Sequence, residues 1–294
     1  MPLPGSLIER LAKHLSDHLE RPVDVEHEVA VGGGSINDAY RLETNEGRFF
    51  VKVNHADRFP SLFEAEADGL HRLGLASAIR VPRVIAVGED HDDSYLLLEW
   101  VASEPKTPAF WQDFGRSLAA LHRHTATAFG LERDNYIGSL VQRNTEHPNW
   151  TEFFVQCRLE PMVVKARDRG RLGGGDVLRF ERLYAQLEAL FPHEAPALLH
   201  GDLWNGNFMC GIEAAPVLID PAVYHGHREM DIAMSTLFGG FDPGFIAAYD
   251  DAWPLEQGWR ERVDLCNLYP LLVHVNLFGG GYVQQVQAVL KRFT

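Results

Sequence analysis

Residues 200–207 read His200-Gly201-Asp202-Leu203-Trp204-Asn205-Gly206-Asn207, and Ile219-Asp220-Pro221 follows a short way downstream. An aspartate, an asparagine five positions on and a second aspartate eighteen positions on thus fall on loops beside short strand-like pieces at 197–199, 208–210 and 217–219. Carboxylate and amide oxygens are the ligands that Mg2+ prefers. A further carboxylate, kept off the metal, can orient a hydroxyl and accept its proton. Asp202 or Asn207 alone would as readily cap a turn. The three together point to metal-assisted chemistry on a hydroxyl.

Upstream, Ser6 and Glu9 read as a capping box, and Leu7, Ile8, Leu11, Leu15 and Leu19 recur at helical spacing over 6–20. Strands are expected to end at 29–31 and to cover 39–43 and 48–53, where Phe49, Phe50, Val51 and Val53 are β-formers. The turn Thr44-Asn45-Glu46-Gly47 joins the last two as a hairpin. Ser61 and Glu64 form a second capping box, followed by a helix through Phe63, Ala67, Leu70 and Leu73 that Gly74 ends. Two more strands, at 84–87 and 95–100, flank an acidic turn at 89–93.

After Ser103-Glu104-Pro105 helical patterns take over, at 108–126, 150–169, 176–190, 244–252, 256–277 and 282–292. Gly173-Gly174-Gly175 marks a loop or helix break. The order predicts an α+β, bilobal fold. A small β-rich N-terminal lobe would occupy 1–101 and a larger, mainly helical C-terminal lobe 102–294.

The 294 residues are 46% hydrophobic, enough for two lobes with real cores. Lys and Arg number 27 against 41 Asp and Glu, a net charge of −14. Such a surface disfavours nucleic acid, whose binding needs basic patches to displace counterions. It would not repel a cationic substrate. Cys157, Cys210 and Cys266 are too scattered for a disulfide framework or a CxxC site, so reduced thiols in the cytoplasm are expected. Residues 1–10 lack a basic region followed by an apolar core, so they are not expected to be a secretory leader. The most apolar late stretch, Leu268–Phe278, is interrupted by Pro270, His274 and Asn276, so no membrane span is expected. Nothing in the sequence sets an oligomeric state.

The segment 200–207 resembles the catalytic loop of the kinase-like phosphotransferases, in which an Asp is followed by an Asn at the fifth position. With Ile219-Asp220-Pro221 it is similar to the aminoglycoside and choline kinase branch. The resemblance implies a protein-kinase-like fold and ATP with Mg2+ as cofactors. It makes Asp202 the catalytic base, and Asn207 and Asp220 the metal ligands. Lys52, between apolar residues in Phe49-Phe50-Val51-Lys52-Val53, resembles the lysine that contacts the α- and β-phosphates. Its carboxylate partner is expected to be Glu66 rather than Glu64, because Glu66-Ala67-Asp68-Gly69-Leu70 resembles the corresponding helix of the aminoglycoside kinases. Gly32-Gly33-Gly34-Ser35-Ile36-Asn37 could be a plain hairpin turn; its place just ahead of Lys52 favours a phosphate loop, with Gly32, Gly33, Gly34, Ser35 and Asn37 facing the nucleotide. Leu96 to Val101 corresponds to the hinge that binds adenine, through the Glu99 carbonyl and the Val101 amide.

A finer match is to the fructosamine (ketosamine-3-kinase) family. It is carried by the glycine loop, Phe50-Val51-Lys52-Val53-Asn54, Phe63-Glu64-Ala65-Glu66, Asn135-Tyr136-Ile137-Gly138, Trp150-Thr151-Glu152-Phe153-Phe154, Arg158-Leu159 and the 200–207 loop. The most specific stretch is Ile219-Asp220-Pro221-Ala222-Val223-Tyr224-His225-Gly226-His227-Arg228-Glu229. The family implies phosphoryl transfer from ATP to the 3-hydroxyl of a ketosamine, free or borne on a protein lysine. Asp202 would orient the hydroxyl and remain ionised beside bound metal, while Lys52 and two Mg2+ ions offset the phosphate charge.

Some members carry a cysteine in the glycine loop where this chain has Ser35, so thiol control through that loop is not expected. His225 stands where many have a second tyrosine. Trp204 is expected either to flank the acceptor pocket or to pack under the catalytic loop. Tyr224, His225 and His227 are substrate candidates; the two histidines would contact substrate or backbone rather than metal, since no third ligand is evident. Arg228 and Glu229 should form a structural ion pair or brace the loop. Asp231 should start a helix near the catalytic loop. Trp150, Phe153 and Phe154 should be core. The other readings are a kinase for an aminoglycoside, choline or homoserine, and a dead nucleotide-binding module; the presence of Lys52, Asp202, Asn207 and Asp220 counts against the latter.

Overall fold

The computed structural model describes residues 2–32 and 36–294. Helix α1 (Gly5–Leu19) lays Leu7, Leu11 and Leu15 against an antiparallel sheet, and all three are fully buried. The sheet comprises β1 (Val25–Ala30), β2 (Asp38–Thr44), β3 (Gly47–His55), β4 (Val84–Asp90) and β5 (Asp93–Glu99), in the order β1-β2-β3-β5-β4, with helix α2 (Leu62–Ala76) inserted between β3 and β4. Lys52 on β3 pairs with Ala39 on one side and Leu96 on the other, which fixes it at the centre of the sheet. The apolar residues beside it, Val51 and Val53, face the α1 core. On the opposite face Leu96 and Leu98 pack with Phe63 and Leu70 of α2.

Both expected capping boxes are absent. Ser6 lies inside α1, which begins after Pro4, and its hydroxyl donates to Asp90 at 2.8 Å, tying the helix to the end of β4. Ser61 precedes α2 in a left-handed conformation (φ 58°) with no side-chain cap bond. The α2 helix also runs past Gly74, and Ser77 closes it by donating its amide to the Gly74 carbonyl.

The remainder is mainly helical. Helix α3 (Pro108–His122) opens on a working cap, the Thr107 hydroxyl accepting from the Phe110 amide. A short hairpin, β6 (Asn135–Ile137) and β7 (Leu140–Gln142), follows. The helix expected over 150–169 is three pieces: α4 (Trp150–Phe153), a π-helical turn (Phe154–Leu159) and α5 (Glu160–Asp168). The pair α6 (Gly174–Tyr184) and α7 (Leu187–Leu190) leads to four short strands, β8 (Ala197–Leu199), β9 (Phe208–Cys210), β10 (Pro216–Leu218) and β11 (Tyr224–Gly226). β9 pairs with β10 and β8 with β11, so the 200–207 loop and the Asp220 loop emerge side by side. Helices α8 (Glu229–Leu237), α9 (Pro243–Ala252), α10 (Trp259–Cys266), α11 (Leu268–Phe278) and α12 (Gly281–Phe293) complete the chain. Trp150, Phe153 and Phe154 lie in the largest core, as expected. Among the described residues no helix is long and apolar enough to cross a membrane.

Candidate active site

The Lys52 ammonium donates to Glu66 Oε1 at 2.7 Å and to Asp220 Oδ1 at 2.6 Å. One contact brings α2 to β3. The other joins the sheet to the Asp220 loop, 168 residues away in sequence. Burial alone would lower this lysine, but the two carboxylates outweigh it and hold its pKa raised, so it is cationic. Asp220 itself has φ 55°, a strained conformation for a non-glycine residue, and stays nearly half exposed.

Asn207 turns its amide nitrogen to Asp202, donating to both the backbone carbonyl and Oδ2 at 2.9 Å. Burial pushes the Asp202 carboxyl up to about 7, against the hydrogen bond from Asn207; the negative charges of Asp220 and Asp231 add to the rise. A cation between Asn207 and Asp220 would favour the ionised form. The loop is pinned from below. The Asp231 carboxylate accepts from the amides of His200 (2.7 Å) and Gly201 (2.9 Å), and its Oδ2 also meets His122 Nε2 at 3.2 Å. His200 donates its Nε2 proton to the Ile219 carbonyl (2.9 Å) and accepts the Asp202 amide at Nδ1, so one neutral side chain links both loops. Gly201 (φ +83°) is required: a Cβ there would sit 2.0 Å from the Ala222 carbonyl oxygen.

One cavity of about 610 Å3 gathers Gly32, Asn37, Lys52, Glu66, Glu99, Val101, Asp202, Trp204, Asn207 and Asp220. Asn37 Oδ1 accepts from Asn54 at 2.7 Å, which holds it at the cavity edge. Gly33, Gly34 and Ser35 lie outside the described residues. Trp204 is 37% exposed at the cavity rim, with its indole lying against Gly206 of the same loop.

Tyr224, His225 and His227 do not line the cavity, which corrects their placement as substrate contacts. β11 pairs with β8, and this pairing turns Tyr224 into the core, stacked on Phe153. His227 is fully buried beside Trp150 and Phe191. The His225 backbone pairs with Gly130, and its side chain is half-buried. Arg228 and Glu229 do not pair with each other, because adjacent helical side chains diverge. Arg228 takes Glu194 (2.9 Å) and Glu229 takes Arg262 (2.6 Å).

A polar relay was signalled in the sequence only by Asn135 and Arg158, which the family resemblance marked without a role. Fully buried Arg158 donates to Asn144 Oδ1 (2.8 Å) and to the Arg143 carbonyl, and lies 3.9 Å over the Tyr224 ring. Asn144 donates to Asn135 (3.0 Å), and Asn135 to the Val223 carbonyl (2.8 Å). Gln142 donates to the Ala222 carbonyl (3.0 Å) and accepts from Tyr269. The chain of amides therefore ends on the backbone just past Asp220.

The oxygen donors fit a magnesium ion shared with a nucleotide. Asp220 supplies a carboxylate, and Asn207, having given its N–H to Asp202, keeps an amide oxygen. Among the described residues no cluster of three or more His, Cys, Asp or Glu could hold a metal alone. One or two protein ligands plus phosphate oxygens is the usual arrangement for Mg2+.

A buried lysine–carboxylate pair, the Asp202 carboxylate and the oxygens of Asn207 and Asp220 around one cleft, on a five-stranded sheet joined to a helical body, are the arrangement of an ATP-dependent phosphotransferase of the kinase-like fold. The fructosamine kinase family model matches residues 7–294, and the chain belongs to that family. It is 41% identical to a protein from Enterococcus faecium named as a probable ketoamine kinase, over 90% of this chain and 94% of that one. It is 38% identical to the chloroplastic protein-ribulosamine 3-kinase of Arabidopsis thaliana, over 90% of this chain and 81% of that one. A crystal structure named as a fructosamine-3-kinase from Thermobifida fusca superposes with a TM-score of 0.86 at 39% identity, covering 98% of this chain and all of that one. An aminoglycoside phosphotransferase in complex with AMP-PNP and hygromycin B shares the fold, with a TM-score of 0.65 at 15% identity.

Proposed function

We propose that the protein transfers the γ-phosphoryl group of ATP to the 3-hydroxyl of a ketosamine, a sugar carried on a small amine or on a protein lysine. The observation that carries this reading is the convergence of Lys52, Glu66, Asp202, Asn207 and Asp220 on one cleft in a member of the fructosamine kinase family. Asp202 orients the acceptor hydroxyl and takes its proton as oxygen attacks phosphorus; ADP leaves. Lys52, held by Glu66, meets the α- and β-phosphates. Glu99 and Val101 face the adenine and Gly32 and Asn37 the phosphates. Asn207 and Asp220 would hold Mg2+, which would neutralise charge developing on the phosphates. Trp204 borders the acceptor.

We put the boundary between the two lobes at residues 101–102, shortly after β5. Three buried free cysteines are consistent with a reducing, cytoplasmic setting. The test is ADP release from Mg·ATP with ribuloselysine, fructoselysine, choline, homoserine and an aminoglycoside as acceptors. Ketosamine-dependent release that is lost in Asp202→Asn is expected. Release with another acceptor alone would overturn the substrate, and silence with ATP bound would overturn the activity.

A further inference from the structure

Two stretches of the chain carry the same four residues, Leu237-Phe238-Gly239-Gly240 and Leu277-Phe278-Gly279-Gly280. Each ends a helix, α8 in the first case and α11 in the second, and each glycine has positive φ. Both phenylalanines are thereby thrown outward, 39% and 61% exposed. Phe238 stands 6.1 Å from Trp204, edge to face, and 4.8 Å from His274; His274 stands 5.6 Å from Phe278 and 4.9 Å from Tyr282. Trp204, Phe238 and Phe278 are the exposed Trp and Phe side chains among the described residues, and all three lie on this one strip.

The strip starts at the catalytic cavity, because Trp204 lines that cavity. Its far end also returns to the cleft: a Cβ at cavity-lining Gly138 would meet Leu277 at 3.3 Å. From first ring to last it spans no more than about 16 Å, the reach of roughly five extended residues. Three part-exposed rings offer far less than the roughly 800 Å2 per partner that a stable dimer buries. The net charge of −14 disfavours an anionic membrane surface. Ring faces do suit an ammonium and the flanks of an extended chain.

We infer that this aromatic strip is a subsite for the amine-bearing part of the acceptor, and that its occupant is an extended peptide segment on either side of a glycated lysine. The inference rests on the ketosamine reading above. The sugar enters beside Asp202, its amine points out past Trp204, and the peptide lies along Phe238, His274, Phe278 and Tyr282. The ladder therefore discriminates by what the sugar is attached to, and leaves the sugar itself to the cavity.

The test compares wild type with Phe238→Ser/Phe278→Ser on two acceptors, fructosylated methylamine and a glycated hexapeptide. Neither side chain belongs to the phosphoryl-transfer machinery. The expected result is a kcat/KM on the small acceptor within about twofold of wild type and a loss of tenfold or more on the peptide, mostly in KM. Phe238→Tyr/Phe278→Tyr should restore the peptide. Equal losses on both acceptors, or no loss on the peptide, would overturn the subsite. If wild type turns over neither ketosamine, the acceptor reading falls and the subsite falls with it; turnover of the small acceptor alone leaves the acceptor reading standing and sinks only the subsite.

Discussion

The two walls of the cleft are held by different physics. On the nucleotide side Lys52, Glu66 and Asp220 meet at 2.6–2.7 Å, so charge sets the geometry directly. On the side that we assign to the acceptor, the Ala222–Val223 backbone is held by neutral amides, Asn135 and Gln142, and behind them by a buried Arg158 with which no carboxylate among the described residues pairs. A charged clamp is strong and local. An amide relay is weaker per bond but reaches across the core, and it is only as good as its last satisfied group. Damage to the first should fall on the phosphoryl-transfer step, and damage to the second on acceptor placement.

The largest effect is expected where both walls converge. Asp202→Asn should lower kcat by about 10²- to 10⁴-fold, the usual contribution of a positioned base, while ATP affinity stays within a few-fold. Pre-steady-state ADP release together with nucleotide titration checks both. Full turnover would remove Asp202 from its role and leave the comparison without a centre. Glu66→Gln comes next. Freed from Glu66, Lys52 retains Asp220 and is pulled toward the Asp220 loop. Misplacement of this order can cost about 10²-fold, here in kcat with a raised KM for ATP. A loss confined to the acceptor KM would show that the clamp is not a nucleotide device.

These two predictions concern residues that the chain announces. Asp202, Asn207 and Asp220 lie on two neighbouring loops, and their spacing is itself chemical. Glu66 needed more: Glu64 sits on the same helix, the family resemblance favoured Glu66, and the fold shows that it is the carboxylate reaching Lys52. The resemblance marked Asn135 and Arg158 but not their role, and Gln142 and Asn144 carried no mark, because they are ordinary residues until the core brings the four together. Tyr224, His225 and His227 misled for the opposite reason. They look reactive in sequence, but β11 is three residues long, too short for its period to reveal which side chain faces the core. The bilobal order of strands and helices was legible because strand and helix periods persist over many residues there. The π-helical break at 154–159 was not, since its residues continue the same apolar pattern.

Arg158→Met tests the weaker wall. The substitution keeps much of the volume but strands the Arg143 carbonyl and Asn144, and it removes a cation from the Tyr224 face. It should cost about 2–4 kcal/mol in urea unfolding. The kinetic signature is a roughly tenfold rise in KM for the acceptor with KM for ATP unchanged. Equal changes in both constants would mean that the relay supports the whole cleft, and the division between walls would fail.

The smallest effect concerns the place where the walls touch away from the chemistry. Tyr136, which lines the cleft, donates its hydroxyl to the Pro60 carbonyl at 2.9 Å, one residue before Ser61. Ser61 looks like a helix cap in sequence but serves as a left-handed turn, and its hydroxyl makes no cap bond to α2. An L-residue pays a steric cost there that glycine avoids, although glycine also loosens the unfolded chain. Ser61→Gly should therefore raise stability by about 0.5–1 kcal/mol, read as a shift in the denaturation midpoint with the slope unchanged. Turnover should stay the same, because Glu66 is held by Lys52 and by the packing of Phe63 and Leu70 rather than by the start of its helix. A fall in kcat at unchanged fold would show that the turn at Ser61 positions Glu66. The charged clamp would then depend on the Tyr136 contact, and the two walls would be a single mechanical unit.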